Sequence, residues 1–157
     1  MLQVSPVNNR HELRQFIRLP WSIYSDDPAW VPPLILERKE HLSPHNPYFE
    51  HARYQSWIAY RDGIAVGRIS AQIDQLHLDQ YQKKEGFFGM IEAEDNTETF
   101  TALFETAEAW LRDHGMRRVL GPYNLSINQE PGLLVDGFDT PPYVMTGHAR
   151  PYYGARI

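Results

Sequence analysis

Residues 54–73, Tyr54-Gln55-Ser56-Trp57-Ile58-Ala59-Tyr60-Arg61-Asp62-Gly63-Ile64-Ala65-Val66-Gly67-Arg68-Ile69-Ser70-Ala71-Gln72-Ile73, decide the fold. Aromatic and β-branched side chains crowd both halves at a period of two, which marks a pair of strands. Asp62-Gly63 between them is a strong hairpin signal, because a two-residue turn needs positive φ and glycine adopts it without strain. Ala65, Gly67, Ile69, Ala71 and Ile73 are expected to share one face of the second strand.

Downstream, a polar connection from His77 to Lys84 leads to a third strand from Gly86 to Ala93, so the middle of the chain reads as an antiparallel meander. Glu94-Asp95-Asn96-Thr97-Glu98 then supplies helix-start chemistry, with Asp95 or Asn96 as the N-cap and Glu98 placed to close a capping box onto Asp95. Phe100, Leu103, Phe104, Ala107 and Leu111 follow at helical spacing, and Gly115 stands where a helix-ending glycine belongs. Arg118-Val119-Leu120 is a further short strand, ended by Gly121-Pro122.

Upstream, residues 2–4 form a candidate strand, and a helix starts near Asn9 with Leu13, Phe16 and Ile17 on one side, limited by Pro20. A connector rich in proline and aromatics joins it to a second helix over about 33–42, which Ser43-Pro44 stops, and Asn46-Pro47-Tyr48-Phe49 makes a turn. Residues 123–157 have no dominant period and read as a long structured loop, the segment expected to make functional contacts.

The bulk numbers narrow the function. A chain of 157 residues with 42% hydrophobic content fits one domain with a real core. Cysteine is absent, which excludes disulfides, thiolate nucleophiles and sulfur-based zinc sites, and makes the cytoplasm the default compartment. The start of the chain lacks the basic and apolar regions of a signal peptide, and no apolar run reaches membrane-spanning length.

A net charge of −5 opposes nucleic acid as a partner, and Arg117-Arg118 read as cations for the last carbonyls of the preceding helix. His41 and His45 have a metal-like spacing, but Ser43-Pro44 breaks the helix between them, so no metal is expected; His51 reads as a hydrogen-bonded turn residue. Hydrolase, Walker and dinucleotide fingerprints are missing.

The order strand, helix, helix, three-stranded meander, helix, strand resembles the front half of the GNAT acyltransferase fold. Particular residues resemble a bacterial, largely uncharacterised GNAT-like group: Leu19-Pro20, Tyr24, Asp27-Pro28, Trp30-Val31-Pro32-Pro33-Leu34, Asn46-Pro47, Val66-Gly67-Arg68-Ile69 and Gly86-Phe87-Phe88-Gly89. The likeness continues through Ala109-Trp110-Leu111-Arg112, Gly121-Pro122, Gly132-Leu133-Leu134, Pro141-Pro142 and Pro151-Tyr152-Tyr153. It implies a single α/β domain of the α+β type over 1–157, with a mixed GNAT-like sheet and helices on both sides. Such members are typically longer, so the chain resembles one truncated before the family's final strands.

The resemblance also implies an activity: transfer of an acyl group from acetyl-CoA or another acyl-CoA to an amine, small or peptide-borne, with no metal. Glu92 and Glu94 would be candidate bases, and Tyr152 and Tyr153 candidates to reprotonate the thiolate. Ile91 and Ala93 on the third strand, with Asn96 and Thr97 in the loop after it, would contact the coenzyme. That loop departs from the family pattern: it has no glycine, and its carboxylates compete with a phosphate for the helix end. A non-catalytic GNAT-fold interaction module and a truncated remnant are therefore the alternatives, and a homodimer stays open.

Overall fold

The computed structural model describes residues 1–157. Its elements run β1 (Leu2–Pro6), α1 (Arg10–Ile23), α2 (Ile35–His41), β2 (Ala52–Arg61), β3 (Ile64–Asp74) and α3 (Gln75–Tyr81). They continue with β4 (Glu85–Ala93), α4 (Thr97–Asp113), β5 (Arg118–Leu120), β6 (Tyr123–Asn124), β7 (Glu130–Pro131) and a short turn of helix, α5 (Tyr153–Arg156). Strands β1 to β5 form one sheet in sequence order, antiparallel up to β4, with β5 parallel to β4; β6 and β7 pair separately. The mixed sheet and the meander are those expected.

The hairpin turns at Asp62 and Gly63, with φ of 51° and 84°. The common face of β3 holds only in part. Ala59 faces Gly67 but Tyr60 faces Ala65, so Val66 is an extra residue in a β-bulge. The bulge puts Val66 on the α4 side and hands Ala65 to the opposite cluster.

Helix α4 lies on one face, where Trp57, Ile69, Phe88, Ile91, Phe100 and Leu103 belong to the larger core. Helix α1 covers the other, with Phe16, Ile17, Ile58 and Met90. Asn9 caps α1 in a full capping box with Glu12.

Four local expectations change. Helix α1 does not end at Pro20 but carries it to Ile23. Proline has no N–H for the carbonyl four residues back, which is that of Phe16, and Arg68 Nη1 donates to it instead at 2.7 Å. The polar connection after β3 contains helix α3, started by the Asp74 side chain accepting from the Leu76 N–H. Asn96 alone caps α4, accepting from the Glu98 and Thr99 N–H groups; Glu98 is one residue too early to close a box and pairs with Arg61. Arg118 reaches the buried Glu85 carboxylate at 3.2 Å instead of the helix carbonyls.

Residues 123–131 fold back across β4 at Gly89, where a Cβ would lie 1.8 Å from the Tyr123 carbonyl oxygen. Fully buried Gln72 donates to the Tyr123 and Leu125 carbonyls at 2.7 and 3.2 Å, and Asn124 Oδ1 accepts from the Met90 N–H at 2.8 Å. Met90 has φ of 50°, and the β3–β4 register shifts between Arg68 and Ser70. The irregularity leaves Glu92 directly across from Arg68.

Candidate functional site

Glu92 is the centre of the site. Its side chain is 14% exposed, and its Oε2 accepts from the hydroxyls of both Tyr24 and Tyr153 at 2.7 Å. Arg68 Nη2 stands 3.9 Å from Oε1, with its guanidinium over the Phe16 ring. Burial pushes the Glu92 carboxyl above its ordinary value, opposed by the Arg68 charge and the two hydroxyls. Burial and the nearby carboxylate likewise raise Tyr24 and Tyr153, so both keep their protons.

Beside Glu92 lies a cavity of about 110 Å³, lined among others by Arg38, Arg68, Asn124, Glu130 and His148. Glu130 pairs with Arg38 and accepts from Asn124 at 2.8 Å. His148 Nε2 meets Asp27 at 2.8 Å, tying the C-terminal loop to the connector after α1. Trp30 stacks on Tyr24, and Arg150 donates to the Ile23 carbonyl at 3.0 Å, closing the same wall.

The four proposed catalytic side chains separate into two groups. Glu92 and Tyr153 come together. Tyr152 sits next door but donates to the Ala93 carbonyl at 2.7 Å, while Glu94 turns toward Arg61 and Thr99 at 3.1 and 2.8 Å. Sequence reading gave no role to Tyr24, Arg68 or His148. A signal for Arg68 was available, since a cation within a strand of buried apolar residues needs a partner; nothing around His148 carried one.

The residues expected to hold coenzyme A are engaged within the chain. The Ala93 N–H donates to the Tyr153 hydroxyl oxygen at 3.0 Å. Asn96 occupies two N–H groups at the start of α4, and Arg156 donates to Thr97 Oγ1 and the Asp95 carboxylate at 2.7 Å. Ile91 points into the larger core. With capped donors and three neighbouring carboxylates, the α4 terminus as placed does not fit a pyrophosphate.

No helix is long and apolar enough to cross a membrane. His41 is hydrogen-bonded to Gln129 at 2.7 Å and His51 to Asp74 at 2.9 Å.

The fold is that of the GNAT acyltransferases. A tandem GNAT protein from the clavulanic acid biosynthesis pathway superposes with a TM-score of 0.58 at 16% identity, over 74% of this chain and 34% of that one. An aminoglycoside N-acetyltransferase in complex with CoA superposes with a TM-score of 0.52 at 18% identity, over 78% and 77% of the two chains. No family model matches the chain.

Two curated relatives are much nearer in sequence. Protein YghO of Escherichia coli (strain K12) is 52% identical over 149 residues, 95% of this chain. The bacterial ceramide synthase of Caulobacter vibrioides is 51% identical over 158 residues, 99% of this chain. The chain spans about two fifths of their length, 38% and 41% respectively.

Proposed function

We propose that this domain serves N-acyl transfer, with Glu92 taking the proton of an acceptor amine seated in the adjoining cavity. The single observation behind this reading is a buried carboxylate of raised basicity, held by two tyrosine hydroxyls and facing that cavity. The amine nitrogen bonds to the carbonyl carbon of an acyl thioester as the carbon–sulfur bond breaks. Its proton goes to Glu92, which lines the cavity and returns it to the departing thiolate, while the Tyr153 and Tyr24 hydroxyls hold the carboxylate in place.

Two comparisons support the class of reaction. One neighbour in fold was solved with CoA, and a ceramide, the product named in one relative, is an amide formed on an amine. Acetyl-CoA or another acyl-CoA is the proposed donor, and its phosphates would need to be held other than by the capped start of α4.

The assay is acyl transfer to amines followed by thiol release, with acetyl-CoA and a long-chain acyl-CoA as donors. Glu92→Gln is expected to lower kcat by about 100-fold or more. Wild-type rates preserved in that variant would reject the reading. The acidic, arginine-paired start of α4 favours a second reading, a non-catalytic GNAT-fold binding module. It is distinguished by the absence of titration heat up to millimolar acyl-CoA, while amine ligands still bind.

A further inference from the structure

Five buried side-chain polar atoms find no hydrogen-bond partner: Arg38 Nε, Arg68 Nε, His148 Nδ1, Tyr48 Oη and Tyr54 Oη. Three of them belong to residues that line the one small cavity beside Glu92. Arg68 and the His148 side chain are both more than nine-tenths buried, at 8% and 3% exposure. Unmet hydrogen-bonding groups at such depth are costly, and a cavity that gathers them calls for a polar occupant.

The two ends of the lining differ in chemistry. Arg38 and Arg68 both line the cavity. Arg38 Nε stands 3.2 Å from Glu37 without hydrogen-bond geometry, and Arg68 spends only its Nη1 on Phe16. Two guanidiniums in the lining of one cavity, each with Nε unspent, favour an anion. At the other end, Asp27 accepts from Nε2–H of His148; in that tautomer Nδ1, which has no partner, is an acceptor in the lining that also holds Glu92.

We propose that the cavity takes a small zwitterion: an amine held between Glu92 and His148, on a carbon skeleton that also bears a carboxylate or phosphate bound by Arg68 and Arg38. The inference rests on the reading of Glu92 as the amine's partner and goes further, by naming the second group the acceptor carries. Asn124 and Thr146 line the same space and offer further polar contacts. The charges close: Glu130 is spent on Arg38, so the amine answers Glu92 and the anion answers Arg68.

Calorimetric titration of the full chain, without acyl donor, tests this with three probes: ethanolamine, serine and O-phosphoethanolamine. The zwitterion carrying the fitting anion is expected to bind at least tenfold more tightly than ethanolamine. The serine and phosphate arms decide which anion fits. Arg38→Gln is expected to remove that preference; Arg68→Gln is expected to do the same and is the more drastic change, because it also leaves the Phe16 carbonyl unpaired.

Equal binding of all three probes, or a preference that survives Arg38→Gln in a folded protein, would overturn the proposal. Binding of a zwitterion with no acyl transfer would uphold it while rejecting the transfer reading. Transfer to ethanolamine as efficient as to the anionic amines would do the reverse.

Discussion

Tyr24 lies 68 residues before Glu92 in the chain, and its hydroxyl donates to Glu92 Oε2 at 2.7 Å. Tyr24→Phe removes one of the two bonds that favour the carboxylate over the carboxylic acid. The Glu92 carboxyl should then rise further, and the acid limb of a pH–rate profile should move to higher pH. Stability should fall by about 1–3 kcal/mol, measured by urea denaturation.

Glu92 also shapes stability against pH. Burial raises its folded value above the unfolded one, so the folded state holds the proton more tightly. That contribution is fully present below the ordinary carboxylate range and is lost as pH rises through the raised value. Glu92→Gln should flatten this loss, and urea midpoints of variant and wild type compared from about pH 4 to 8 would reveal it. Parallel curves would contradict it.

Asp27 behaves oppositely. Burial alone would raise its carboxyl, but the hydrogen bonds from His148 and the Ala29 N–H outweigh it and hold the carboxyl below its usual 3.8. Its contribution is present above that value and is lost as pH falls through the lower folded one. Asp27→Asn should cost about 1–3 kcal/mol near neutral pH and narrow its deficit in acid, read from thermal melts at both ends.

Gly89 marks where the chain crosses itself. A Cβ there would lie 1.8 Å from the Tyr123 carbonyl oxygen, so Gly89→Ala must push β6 off β4. Amide exchange at Met90 and across residues 123–131 should quicken, with a loss of about 1–3 kcal/mol in stability. Unchanged exchange there would contradict the close crossing.

The start of α4 separates two capping schemes. Asn96→Ala should cost about 1 kcal/mol, since two N–H groups lose their acceptor. Glu98→Ala, which loses only a largely exposed ion pair with Arg61, should cost under about 0.5 kcal/mol. A reversed order in chemical denaturation would restore the capping box.

How much was legible follows from the range of each signal. The Asp62-Gly63 turn, the apolar spacing of Phe100, Leu103 and Leu111, and the Asn9 start of α1 are local, and each stands where the residues imply. Pro20 misled because a proline ends a helix only when the freed carbonyl finds nothing better, and for the Phe16 carbonyl Arg68 supplies a donor from 52 residues further along. The bulge at Val66 was hidden because an extra residue in a strand leaves the alternation of side chains readable on either side of it. Glu92 and Tyr153 are candidates from the resemblance alone, whereas His148 stands in a stretch without period.

The amino-acid order by itself determined the meander and the long amphipathic helix, because turn propensity and apolar spacing act over a few neighbouring residues. Only the tertiary structure decided that Arg68, Glu92 and His148 line one cavity, that Tyr24 and Tyr153 meet on Glu92, and that the start of α4 is closed by Arg61 and Arg156. Contacts between such distant segments are selected by burial and by the cost of leaving a buried polar group alone. Both are properties of the packed whole rather than of any stretch within it.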